Sequence, residues 1–271
     1  IYLYIMNILY VTTFNKRLYN ITGKNLIESF LNNNIDAKLL VCYENMDFDH
    51  ESNKILKYDI TNDEYLKKWL ENNKYNIPKY YDGLAEDNDP RFIEDKKKGQ
   101  SWARFRASGY FRKIVALNYA LNNYSDQNDI IFTIDSDCIF KKYIDKNIIN
   151  KLFENETSMI YYWGEYRRKR INRGPESGFI GYSKNNKGYE FAKIICECFI
   201  SQDFLTYEYW DDGYVIGKLI LENENNFNLK DLVETRKEKT TRVMELPNIL
   251  LDYIHHFKNI HKHSKDINEK N

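Results

Sequence analysis

Apolar positions recur along this chain with two different periods. Short runs rich in β-branched and aromatic residues stand at Asn7–Thr13, Ala37–Cys42, Ile55–Ile60, Ile130–Ile134, Ser158–Trp163 and Glu176–Ser183. Runs of this length and composition predict buried strands. Between them, apolar residues spaced by three and four predict helices over about Thr22–Asn33, Asp63–Asn72, Trp102–Leu121, Asp145–Glu154 and Lys187–Phe199, with another opening at Asp211-Asp212. The first helix carries its stripe on Leu26, Ile27, Phe30 and Leu31; the third carries Phe111, Ile114, Val115, Leu117 and Leu121. The first strand is expected to end in a polar turn at Thr12–Asn15. Strand, helix and strand in succession make βαβ units, so the expected fold class is α/β with a mostly parallel central sheet flanked by helices. Pro78–Gln100 and Glu222–Arg242 read as polar and irregular, and Lys265–Asn271 as a flexible tail.

Composition narrows the picture. The 271 residues allow one large domain or two small ones, and 42% hydrophobic content supplies a substantial core. Forty basic residues balance forty acidic ones. A net charge of zero argues against a molecule that binds nucleic acid by its overall field. Ile1–Val11 is apolar but far shorter than the roughly 20 residues a membrane span needs. It also lacks the flanks of a signal peptide, so no membrane span is expected. The four cysteines, Cys42, Cys138, Cys196 and Cys198, form no CxxC pair. They read as small apolar residues in a reducing cytoplasm.

Candidate chemistry starts at the end of the fourth strand. The apolar run Ile130–Ile134 stops at Asp135-Ser136-Asp137. Two carboxylates at the end of a buried strand need a cation, and hard oxygen ligands suit Mg²⁺ or Mn²⁺. The alternative is a solvated turn in which Asp137 caps the next segment. Asp211 and Asp212 stand at a helix start, where capping is the ordinary role of such residues. Four of the five histidines, His255, His256, His261 and His263, fall within nine residues, a density that suits a metal ligand or an anion contact. Arg104, Arg106, Arg112 and Lys113 crowd the first half of one helix. Arg167–Arg173 reads either as a solvated basic loop or as a contact for an anionic acceptor. Gly178 and Gly181 punctuate an apolar strand, which suggests close approach of a backbone or ligand.

The order of these features resembles nucleotide-sugar glycosyltransferases of the GT-A fold, over about Asn7–Ser264. The resemblance implies a single domain over 1–264, with a nucleotide-binding half at about 7–140 and an acceptor-binding half at about 141–264. It also implies a short antiparallel sheet on the acceptor side. Asp135-Ser136-Asp137 looks like the DxD motif, with Asp135, Asp137 and His256 as the implied metal ligands for Mn²⁺ or Mg²⁺. His255 competes with His256, because the Gly and Pro-Trp that often accompany the late motif are absent. Thr12, Thr13 and Phe14 look like the nucleoside cradle. Arg106, Lys113, Asp135, Ser136 and Lys262 would contact the donor, and Trp163, Ser177 and Gly178 would line the acceptor and sugar pocket. Asp212 or Asp211 would be the base of an inverting enzyme or would orient the sugar in a retaining one. The implied partners are a nucleoside diphosphate sugar, a UDP-sugar in preference to a GDP-sugar, and a glycan or other hydroxyl acceptor. A nucleotidyltransferase of the same fold and an inactive sugar-binding protein are the alternatives. The first is disfavoured because Thr12–Arg17 contains no glycine.

Overall fold

The computed structural model describes residues 6–33, 36–73, 107–170, 173–233 and 243–257. The fold is the α/β arrangement expected from the alternating periods. A seven-stranded sheet runs in the order β3-β2-β1-β4-β7-β6-β8. Its strands are β1 (Ile8–Asn15), β2 (Ala37–Glu44), β3 (Ile55–Asp59), β4 (Ile130–Ile134), β6 (Met159–Tyr162), β7 (Glu176–Ser183) and β8 (Leu229–Asp231). The four from β3 to β4 are mutually parallel. β7 runs antiparallel to both β4 and β6, and β8 lies parallel to β6. A separate antiparallel ribbon pairs β5 (Cys138–Phe140) with β9 (Ile254–His256).

The strands are apolar on both faces because each face is covered. Leu9, Val11, Leu40 and Ile131 point to one layer, built on α3 (Glu64–Asn72), α4 (Ala107–Tyr124), α7 (Gly188–Ile200) and α8 (Asp212–Asn223). Ile8, Tyr10, Leu39, Val41 and Phe132 point to the other, built on α2 (Lys24–Asn33), the ribbon and α5 (Lys146–Leu152). Aromatic pairs anchor both sides: Trp69 stacks on Phe111 at 4.2 Å, and Tyr10 on Phe132 at 5.0 Å.

The start of the chain departs from its expected outline. No turn occurs at Thr12; β1 continues to Asn15, paired residue by residue with β2 as far as Glu44. Alternation explains this, since Phe14 is buried against Tyr19 and Phe48. Asn15 then caps α1 (Lys16–Leu18) by accepting from the Leu18 amide at 3.0 Å. A π-helical turn at Tyr19–Gly23 joins α1 to α2, so helix begins at Lys16 and not at Thr22. Two stretches read as irregular also hold structure: β8 falls within 222–242, and α6 (Glu165–Arg168) runs into the start of the basic stretch Arg167–Arg173. The segment 74–106 lies outside the described residues, as does the tail.

Candidate active site

β4 ends at Ile134, and the chain turns at once. The Asp135 amide donates to the Gly178 carbonyl of β7 at 2.9 Å, and the Cys138 amide donates back to the Asp135 carbonyl at 3.0 Å. Asp135-Ser136-Asp137 therefore occupies the turn between the main sheet and the ribbon. The ribbon pairs Cys138 with His256, and the Phe257 amide donates to the Asp137 carbonyl at 2.9 Å. This register brings a histidine from far along the chain beside the two aspartates. His256 Nε2 lies 3.0 Å from Asp137 Oδ1 and 3.6 Å from Asp135 Oδ2. Its Nδ1 lies 2.9 Å from Glu176 Oε1. The imidazole lies over Gly178, where a Cβ would meet its Cε1 at 2.5 Å.

The ion-pair network continues through α4. Lys113 Nζ lies 2.5 Å from Asp135 Oδ1, 2.9 Å from Asp212 Oδ2 and 3.3 Å from the Ser177 hydroxyl. These groups face a cleft of about 420 Å³. Its other end is framed by Thr13, Phe14, Asn15, Leu18 and Tyr110, with Arg112 gripping Glu44 through Nε and, at 2.8 Å, through Nη2. Arg167 and Arg173 stand near the acidic start of α8.

Electrostatics follow from this crowding. Burial works against the charge of Lys113, but Asp135 and Asp212 outweigh it and hold the ammonium well above its usual range. Burial also opposes the charge of His256; hydrogen bonds to Asp137 and Glu176 reverse the effect and push the imidazole up to about 9. Asp211 moves the other way for an acid. Burial and the neighbouring Asp212 carboxylate raise it to about 6, against the pull of the Tyr214 amide that it caps at 3.0 Å.

One corner of the cleft has the donors to hold a metal ion. Single donor atoms of Asp137, Cys138 and His256 lie within 4.8 Å of one another. The Cys138 thiol donates to the Gly178 carbonyl at 3.4 Å, which leaves Asp135 as the harder third donor near His256 Nε2. A cluster of carboxylates that draws a proton onto an imidazole also draws a cation.

Most of the residues singled out from the sequence converge here. Thr13, Phe14, Lys113, Asp135, Ser136, Asp137, Ser177, Gly178, Asp211, Asp212 and His256 all line the cleft. Thr12 is buried just behind it, in a void of about 10 Å³ that Lys113 also lines. His255 does not reach the cleft: strand alternation turns it away, and its ring packs edge-on to Phe257 at 4.4 Å. Trp163 also sits elsewhere. Its buried ring lies under the Arg168 guanidinium at 4.6 Å, and its Nε1 donates to the Arg173 carbonyl. Arg106 and Lys262 lie outside the described residues. Two acidic members were not foreseen, Glu176 and Glu44; their partners Arg167 and Arg112 stood out in the sequence only as parts of basic runs. Glu44 closes β2 and Glu176 opens β7, each as a single acid at a strand terminus.

No protein-family model and no curated protein matches the chain. Among solved structures, it is similar to mouse xyloside xylosyltransferase 1 in its apo form. That similarity has a TM-score of 0.47 and 11% identity, over 84% of this chain and 85% of the other. No helix among the described residues is long and apolar enough to cross a membrane.

Proposed function

We propose that the chain is a divalent-metal-dependent glycosyltransferase that moves a sugar from a nucleoside diphosphate sugar to an acceptor hydroxyl. The observation that carries this reading is the convergence of Asp135, Asp137 and His256 with Lys113 and Asp212 around one cleft at the end of β4. Asp135, Asp137 and His256 would hold Mn²⁺ or Mg²⁺. When bound, the ion supplies positive charge to the departing diphosphate. Thr13 and Phe14 would receive the nucleoside, with a UDP-sugar preferred, and Arg106 and Lys262 would add cationic contacts to the donor. Lys113 donates to both Asp212 and the Ser177 hydroxyl, which fixes the Asp212 carboxylate beside what would be the sugar end of the cleft. In an inverting reaction Asp212 takes the acceptor proton; in a retaining one it positions the sugar.

The test is a panel of nucleotide sugars, assayed for Mn²⁺-dependent hydrolysis and transfer. Wild-type protein should turn over at least one UDP-sugar. Asp137→Ala should lose both Mn²⁺ binding and turnover, with its circular dichroism unchanged. Pyrophosphate release from a nucleoside triphosphate and a sugar phosphate would instead establish a nucleotidyltransferase. Glycan binding that needs neither metal nor nucleotide would establish a sugar-binding protein.

A further inference from the structure

Glu176 is 2% exposed, at the first position of a strand that is almost wholly buried. A buried carboxylate needs partners. The two found here face in different directions. Oε1 meets His256 Nδ1 at 2.9 Å, and Oε2 lies 3.9 Å from Arg167 Nη1. Arg167 is itself buried, and its guanidinium donates to the carbonyls of Gly174 and Pro175, the two residues that lead into Glu176. The same arginine thus fixes the backbone before Glu176 and balances its charge. Along β7, Glu176 and Gly178 lie on one face because side chains alternate. Gly178 leaves room for the imidazole, and Glu176 sits at the ring's far edge.

A neutral imidazole carries one ring proton, and its two nitrogens compete for it. Here Nε2 faces Asp137 and Asp135, while Nδ1 faces Glu176. We infer that Glu176, braced by Arg167, is the positioning residue of the ion site: it holds the ring proton on Nδ1 and presents the bare Nε2 of His256 to the cation. The inference rests on the reading of Asp135, Asp137 and His256 as the metal site. It assigns Glu176 no contact with substrate. Carboxylates in this position behind a metal-bound histidine typically change metal affinity about 10–100-fold when removed.

Two measurements on the full chain test it. In the first, Mn²⁺ affinity is measured by calorimetry for wild type, Glu176→Gln and Glu176→Met. The glutamine keeps an acceptor for Nδ1–H and should stay within a few-fold of wild type. The methionine removes the acceptor and should bind about 10–100-fold more weakly. In the second, nitrogen-15 spectra of the Mg²⁺-loaded wild type should show His256 protonated at Nδ1 and unprotonated at Nε2. This needs no variant, so it stands even where Glu176→Met fails to fold. If Glu176→Met binds as tightly as wild type, or His256 carries its proton on Nε2, the role of Glu176 is overturned. If wild type binds neither Mn²⁺ nor Mg²⁺, the metal site itself is overturned, and the role of Glu176 falls with it.

Discussion

At Gly178, the absence of one methyl group decides where an imidazole can sit. A Cβ would stand 2.5 Å from His256 Cε1 and 2.8 Å from Nδ1. Gly178→Ala is therefore expected to push the ring off the two aspartates and weaken Mn²⁺ binding about 10–100-fold, measured by calorimetry with circular dichroism as the folding control. Asp211 offers a test by pH. Burial and the Asp212 charge raise it to about 6 in the folded chain, above its unfolded value. Its contribution to stability is complete below about pH 4 and is lost as the pH rises through 6. Asparagine caps a helix as well as aspartate does and carries no charge. The stability of Asp211→Asn relative to wild type should thus grow between pH 4 and pH 7, read from urea unfolding at each pH. Arg112 and Glu44 keep 16% and 11% of their side-chain surface. Arg112→Ala strands a largely buried carboxylate and is expected to cost about 3 kcal/mol. Adding Glu44→Gln should recover part of that loss, which a double-mutant cycle measures.

At the scale of elements, three residues of β9 carry His256, the histidine of the proposed ion site. Nothing in Ile254–His256 shows a period of its own; the strand exists because Ile254 is buried beside the ribbon and because it pairs with β5. Ile254→Ala should loosen the ribbon without touching a ligand. Hydrogen exchange should then accelerate at Lys141 and Phe257, whose amides donate to the Tyr253 and Asp137 carbonyls. The same shortness explains what could be read beforehand. β1, β2, β4 and β7, and helices such as α2, α4 and α7, are long enough to display period 2 or 3.6, and all were legible. β5, β8 and β9 have three residues each and are defined by long-range pairing, which no local pattern reveals. The π-helical turn breaks the helical period, so the start at Lys16 was hidden. Asp135 and Asp137 were conspicuous as two acids closing an apolar run. Glu44 and Glu176 stand singly, each beside ordinary polar residues, and only the sheet brings Glu176 to His256.

For the whole molecule, an ion that binds only the folded chain stabilises it by mass action. Mn²⁺ at about one hundred times its Kd should add about 2.7 kcal/mol. The melting temperature should then rise by several degrees, and EDTA should reverse the rise. That gain depends on joining distant parts of the chain, since Asp137 and His256 meet only when β9 pairs with β5. Synthesis proceeds from the N-terminus, and folding can begin before the chain is finished. A chain extended through Asp231 already holds all seven strands of the main sheet, yet it lacks the histidine. A protease that clips ahead of Ile254 would therefore leave every strand of the main sheet in the chain and remove the histidine that meets Asp137.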